Sequence, residues 1–285
     1  MKFVQISDCH IMKEYGDRFL GIMKKLDSPA QKLEKVLKSI NWQAYDFVVF
    51  NGDMIHDGDI EDYLLFKELV EKNIPKDLDI LYVLGNHDKK EEFFEVFPKY
   101  KRFRKDEGFL YYSKDFDNYR LIVLDSADPD LHEGIVGQDQ MNWLEEELKA
   151  CKDLEPVIFL HHPIRFTYQK GLESELVNYK NLIDLLNNYQ VKYVFAGHTH
   201  KNALAYDGRL VQVIGDSTSF SIDLNEKDFI RISNKVGYNR IDLNNDYISI
   251  EHENFGDENI SARIEIKEFI DYLYKKNKQG GKKDE

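Results

Sequence analysis

Five short stretches of the sequence carry side chains able to ligate a metal or move a proton: Asp8-Cys9-His10, Gly52-Asp53, Gly85-Asn86-His87-Asp88, His161-His162-Pro163 and Gly197-His198-Thr199-His200. Each follows an apolar run. His198 and His200 close the run Tyr193-Val194-Phe195-Ala196, and in extended chain residues two apart project to one side, which makes them a two-pronged grip. The same alternation sends the adjacent His161 and His162 opposite ways, so one of them is a ligand, and turns Cys9 away from Asp8 and His10. Together the stretches offer seven oxygen and nitrogen donors, too many for one tetrahedral zinc. They fit two metals roughly 3.5 to 4 Å apart that share one ligand and grip a phosphoryl group from both sides. A carboxylate is the natural bridge because each of its oxygens can face one ion, and Asp53 is the candidate. Carboxylate, amide and imidazole without thiolate point to Mn, Fe, Zn or Co rather than an all-oxygen Mg or Ca cage.

Such a site needs strands that end on one edge of a sheet. Phe3-Val4-Gln5-Ile6 reads as a strand ending at Asp8. Ser28 as N-cap and Pro29 as first helical residue open a helix, and Leu33, Val36, Leu37 and Ile40 carry it to about Asn41. Phe47-Val48-Val49-Phe50 has the unbroken apolar character of a strand covered on both faces. A polar turn at Asp57-Gly58-Asp59 leads into a helix bearing Tyr63, Phe66, Leu69 and Val70, and the strand Ile80 to Leu84 ends at Gly85. This βαβ order places chemistry at strand carboxyl ends.

Further along, Phe93, Phe94, Val96 and Phe97 suggest a short helix, and Phe109 to Tyr112 and Arg120 to Leu124 read as strands of a hairpin or meander. The basic cluster from Lys99 to Lys105, interleaved with Tyr100 and Phe103, reads as a solvated loop, with a cap facing the substrate as the alternative. Met141, Leu144 and Leu148 mark a helix, Val157 to Leu160 a strand, and Tyr179 to Asn188 another helix. Leu210 to Ile214, Phe229 to Ile232 and Tyr247 to Ile250 are expected in a second sheet. Ile266, Phe269, Ile270 and Leu273 recur at helical spacing, which places a C-terminal helix over 259–274. Its apolar face fits either the domain or a second subunit, so a homodimer stays open. Residues 275–285 lack apolar side chains and read as a disordered tail. Residues 1–258 form one domain without repeat or linker.

The chain has 285 residues, 42% of them hydrophobic, enough to bury a sizeable core. Its formal charge of −13 argues against a duplex nucleic-acid surface, which needs clustered Lys and Arg, yet leaves room for a small phosphorylated substrate whose charge bound cations would offset. Two cysteines, Cys9 and Cys151, have no disulfide or CxxC setting and read as free thiols. The short opening run is no signal segment and no later run approaches membrane-spanning length, so a cytoplasmic protein without a membrane partner is expected.

In their order and spacing the five stretches resemble the signature of the calcineurin-like metallophosphoesterases. The resemblance implies a two-sheet α/β/β/α sandwich with a dinuclear site at strand carboxyl ends. It implies that Asp8, His10, Asp53 and His200 hold one divalent ion while Asp53, Asn86, His161 and His198 hold the other. By the same resemblance a hydroxide between the ions would attack phosphorus, and His87 would stabilise the transition state or protonate the leaving alkoxide. His161 is thereby chosen over His162, which either touches substrate or supports a neighbour, and Asp88 becomes an orienting acceptor. His56 is a supporting or surface residue, and His132 and His252 have no motif context.

Gly52 to Gly58, the helix Gln140 to Leu148, Ser217-Thr218-Ser219-Phe220 and Gly237-Tyr238-Asn239-Arg240 are similar to class III cyclic-nucleotide phosphodiesterases and their glycerophosphodiesterase relatives. The resemblance therefore implies hydrolysis of a small phosphodiester, with a phosphomonoesterase or nuclease as alternative. A scaffold that had lost catalysis would lack ligands, and none is missing. Purple acid phosphatases place Tyr three residues after the bridging Asp, where this chain has His56. Specificity falls to loops 11–27, 99–108 and 163–178.

Overall fold

The computed structural model describes residues 1–15, 19–105, 108–128, 132–165, 176–226 and 228–272. The tail 275–285 and parts of the three specificity loops lie outside these residues. Two sheets face each other through aromatic side chains. The first has the order β13 (Ile248–Phe255), β12 (Val236–Leu243), β1 (Lys2–Ile6), β2 (Phe47–Asn51) and β3 (Asp79–Val83), with β1, β2 and β3 parallel. The second runs β4 (Tyr112–Phe116), β5 (Tyr119–Val123), β6 (Glu155–Phe159), β7 (Tyr193–Ala196), β9 (Val211–Ile214) and β8 (Ala203–Tyr206), with β5, β6, β7 and β9 parallel.

Alternation along β2 shows how the layers form. Phe47 turns inward and meets Phe3 at 4.7 Å and Phe159 at 6.5 Å between ring centroids, while Phe50 turns outward onto Phe66 at 5.1 Å. Phe66 belongs to α2 (Ile60–Asn73), which with α1 (Pro29–Ser39) and α3 (Lys90–Val96) covers the outer face of the first sheet. The helices α4 (Gln138–Ala150) and α5 (Tyr179–Asn188) cover the second through Leu144, Leu148, Leu182 and Leu186. This is the expected α/β/β/α sandwich. Pro29 opens α1 as expected, although the Ser28 side chain makes no capping bond; Asp59 caps α2, accepting from Glu61 N at 2.9 Å.

Toward the strand carboxyl ends the inward positions turn from aromatic to amide. Gln5 donates to Ala196 O at 2.8 Å, Asn51 donates to Leu160 O at 2.5 Å, and Asn239 donates to Gln5 Oε1 at 3.0 Å. These fully buried amides join the two sheets directly beneath the chemistry-bearing loops.

Three expectations need correction. The strands placed together in a second sheet divide among three: residues 211–214 join the six-stranded sheet, 248–255 edge the five-stranded sheet, and Phe229–Ser233 (β11) lies between β10 (Ser221–Glu226) and β14 (Ile260–Glu265) in a small third sheet. The C-terminal helix begins only at residue 266, because the alternation of Ala262 and Ile264 buries one face of β14. Phe269 of that helix packs with Ile230 and Ile264 of the same chain, so part of its apolar face is used internally. Tyr112 starts β4, while Leu110 gives its N–H to Asp125 Oδ2 at 2.9 Å instead of a ladder. In the basic cluster, Tyr100 is buried and Phe103 stacks on Tyr112 at 4.6 Å, leaving the charges outside.

Phe3 meets Phe47, Phe159 and Phe195 from both sheets. Its truncation to Ala is expected to destabilise the chain by about 3–5 kcal/mol, read from urea unfolding, since a buried aromatic leaves a cavity that neither sheet can collapse into alone.

Candidate metal centre

The five stretches meet on one edge of the sandwich, but not as extended chain. Asp8, His10, Asp53, His198 and His200 all have φ between 46° and 73°, the left-handed region that L residues seldom occupy. The chain leaves the extended region at His198 and His200, so strand alternation does not describe the pair: His198 Nδ1 stands beside His161 Nε2 at 3.2 Å, and His200 Nε2 beside His10 Nε2 at 2.9 Å. The bends are held from outside. His10 N donates to Asp53 O at 2.9 Å, Asp8 N to Gly52 O at 3.1 Å, and the Ser217 and Ser219 hydroxyls both donate to Asp8 O at 2.8 Å. Gly52, at φ 92°, has no room for a side chain: a Cβ there would stand 2.2 Å from His161 Nδ1.

Two groups of donor atoms result. His10 Nε2 lies 2.9 Å from His200 Nε2, and His200 Nε2 lies 3.5 Å from Asp8 Oδ1. Beside them His161 Nε2 is 3.2 Å from Asn86 Oδ1 and 3.2 Å from His198 Nδ1. Asp53 stands between, with Oδ2 at 3.5 Å from His10 Nε2 and 3.3 Å from His161 Nε2. The expectation of one carboxylate oxygen per ion is therefore corrected: the same oxygen faces both groups, because Oδ1 is taken by His87 N at 2.9 Å.

These donors fit cations. His161 Nδ1 donates to Asn51 O at 2.9 Å and His200 Nδ1 to Phe220 O at 2.9 Å, which leaves each Nε2 as a lone pair. The His161 lone pair then faces Asp53 Oδ2 and Asn86 Oδ1, acceptor against acceptor. Nitrogen–metal bonds of about 2.0–2.1 Å put neighbouring donors roughly 3.0 Å apart in an octahedron and 3.4 Å in a tetrahedron, the spacing seen here. Asp8, His10 and His200 form one group able to hold a metal, and Asp8, Asp53 and His161 another.

Electrostatics say the same. Burial pushes the His10 and His198 imidazoles well below their ordinary range and His200 down to about 4, so they are neutral donors at neutral pH. Burial likewise raises Asp8 to about 7. For Asp53 burial also acts upward, but attraction from His161, His87 and His10 overrides it and holds the carboxyl well down. For His161 burial acts downward, and the Asp53 carboxylate overrides it, raising the imidazole to about 9. Without a cation, a proton on His161 takes its place.

The remaining residues surround this core. Asp88 accepts from Gly85 N at 2.9 Å, Met54 N at 3.1 Å and Tyr63 Oη at 3.0 Å, the orienting acceptor expected of it. His162 does not turn away from His161, since their rings lie 4.9 Å apart. It is fully buried, with Nδ1 at 2.8 Å from Ser126 Oγ and Nε2 at 3.1 Å from His132 O. Sequence reasoning missed two positions. Asp57 binds His87 Nδ1 at 3.0 Å, and His132, whose ring is 5.1 Å from His198, places Nδ1 3.4 Å from Asn86 Nδ2. Their signal, a carboxylate four residues after Asp53 and a lone His in the β5–α4 connection, is too weak to read alone. His252 binds Asn239 Oδ1 at 3.0 Å and Asp216 Oδ2 at 3.2 Å.

The family model described as calcineurin-like phosphoesterase matches residues 1–202, which contain all five stretches. The chain belongs to that family. A protein of Arcobacter nitrofigilis named probable glycerophosphodiester phosphodiesterase GpdQ is 30% identical over 79% of this chain and 81% of its own length. The 3',5'-cyclic adenosine monophosphate phosphodiesterase CpdA of Pseudomonas aeruginosa is 27% identical over 85% of each. Among solved structures, a dimetal phosphatase from Danio rerio superposes with a TM-score of 0.65 at 14% identity, covering 90% of this chain and 98% of that one, which shows a shared fold. The chain is a phosphoric ester hydrolase, and among its described residues no helix is long and apolar enough to cross a membrane.

At pH 8, above the Asp8 value and below that of His161, cation binding is expected to release about one proton, because the ion and the proton compete for His161 Nε2. Calorimetric titration with Mn2+ in two buffers of unlike ionisation enthalpy checks this; identical enthalpies would exclude a protonated His161.

Proposed function

We propose that this phosphoesterase is a phosphodiesterase that works with two divalent transition-metal ions, Mn, Fe, Zn or Co, on a small diester of the cyclic-nucleotide or glycerophosphodiester kind. The observation that carries the reading is Asp53 Oδ2, a single carboxylate oxygen between two separate sets of nitrogen and oxygen donors. Asp8, His10, Asp53 and His200 would hold one ion, and Asp53, Asn86, His161 and His198 the other. When bound, such a pair acidifies water and neutralises phosphoryl charge. The protein groups do the rest. Asn51 O and Phe220 O fix the tautomers that present lone pairs inward, and Asp88 ties the Met54 and Gly85 backbones together so that Asp53 and Asn86 keep their separation.

His87 is the proton donor in this reading. Its side chain is 14% exposed, unlike the buried His10, His161 and His200, so it can meet a leaving group at the opening. Asp57 Oδ2 holds its Nδ1, and Asp57 N donates to His87 O at 3.1 Å, a reciprocal pair that points Nε2 away from Asp57. An imidazole oriented by a carboxylate suits protonation of a departing alkoxide. The diester preference rests on the two relatives named above, both phosphodiesterases by name. The free thiols Cys9 and Cys151 suit a cytoplasmic setting.

The wild-type protein is expected to bind two equivalents of Mn2+ or Co2+ and to cleave bis-(p-nitrophenyl) phosphate and cyclic nucleotides faster than the monoester. Asp53→Ala should lower the metal content sharply. His87→Ala should keep both equivalents and lose roughly 10²–10⁴ in kcat. Metal content unchanged in Asp53→Ala, or lost in His87→Ala, would refute the assigned roles.

A further inference from the structure

The position three residues after Asp53 is His56, and the fold buries it to 3% exposure between two functional histidines. Its Nδ1 lies 2.8 Å from His10 Nδ1. Its ring lies nearly parallel on His87, 4.6 Å between centroids at 14°. His10 and His87 themselves meet edge to face at 4.9 Å, so the three rings form one packed unit.

The contact with His10 has a required polarity. A histidine that presents the Nε2 lone pair to a cation carries its proton on Nδ1, and that proton needs an acceptor. The acceptor is a backbone carbonyl for His161 and for His200. For His10 it is another imidazole. His56 Nδ1 must therefore be the lone pair of this contact, and the proton of a neutral His56 resides on Nε2. The second contact is independent of the first: stacking uses the ring face, whereas the hydrogen bond uses the ring edge.

We propose that His56 is a positioning residue with two separable tasks: its Nδ1 lone pair fixes the tautomer and tilt of His10, and its ring face sets the orientation of His87 beside Asp57. The inference rests on the two-cation reading above. It assigns to one side chain a coupling between the Asp8, His10 and His200 half of the site and the proton donor. It also accounts for a buried imidazole where a purely structural position would favour an apolar side chain.

Two substitutions separate the tasks. His56→Phe keeps a ring against His87 and removes the acceptor; His56→Asn keeps an acceptor oxygen near the Nδ1 position and removes the ring. Metal-free protein is titrated with Co2+, followed by calorimetry and by the visible Co2+ spectrum, and the loaded forms are assayed for kcat and KM. In His56→Phe one equivalent should weaken by about 10–100-fold and its Co2+ bands shift, while the other equivalent stays as in wild type. In His56→Asn both equivalents should bind within a few-fold of wild type, with kcat reduced and KM unchanged.

Wild-type binding of both equivalents by His56→Phe, or equal metal loss in both variants, would overturn the proposal. So would a third equivalent bound by wild type among His10, His56 and His87. Nitrogen NMR of wild type loaded with Zn2+ tests the tautomer without any substitution: a protonated Nε2 and bare Nδ1 on His56 support it, and the reverse refutes it. A wild-type chain that binds fewer than two cations would instead remove the two-cation reading.

Discussion

Asn51 O and Phe220 O each take the Nδ1 proton of an imidazole, and by doing so aim a bare Nε2 into a buried space already lined by carboxylates. An acceptor facing an acceptor away from water is an unfavourable conflict. A positive charge removes it. The raised pKa of His161 and the depressed values of His10, His198 and His200 are two expressions of this constraint. Where the field of Asp53 exceeds the cost of burial, a proton is retained; where burial dominates, the imidazole stays neutral and available.

The same constraint explains the backbone. Donors from β1, β2, β3, β6 and β7 must approach within about 3 Å of one another, the spacing of neighbouring ligands on one cation. Strands in two facing sheets stand much farther apart, about 10 Å. The loops close that gap by tight left-handed turns at Asp8, His10, Asp53, His198 and His200. Such conformations cost on the order of 1–3 kcal/mol each and persist only where surrounding structure over-determines them. Here the surrounding structure is the buried amide set of Gln5, Asn51 and Asn239, the serine hydroxyls on Asp8 O, and Asp88 clamping the ends of β2 and β3.

Much of this was legible in the sequence because the chemistry sits immediately after apolar runs. Phe47 to Phe50, Val157 to Phe159 and Tyr193 to Ala196 could only be covered strands, and the ligand types directly after them identified the edge where they end. What alternation got wrong is equally physical. It assumes extended chain, and the chain leaves the extended region at the residues that matter, so the relation of His161 to His162 and the way one Asp53 oxygen faces both groups were unreadable. The third sheet escaped because β10 is polar along much of its length, and β12 because Gly237 and Asn239 interrupt its apolar pattern. Asp57, His56 and His132 act through neighbours distant in sequence, and only the folded chain shows which neighbours.

Asn51 shows how closely folding and function are joined in this chain. Its side-chain amide donates to Leu160 O, tying the sheets together, while its backbone carbonyl selects the tautomer of His161 one residue further along that strand. A shift that loosened the sheets would move the carbonyl too, and the His161 lone pair would lose its direction. The reverse follows by linkage: a cation that binds only the correctly assembled edge stabilises the whole sandwich by RT ln(1 + [L]/Kd), about 2.7 kcal/mol at a hundredfold excess over Kd. The left-handed turns are held from below by buried amides, and a cation bound at this edge would hold them from above as well.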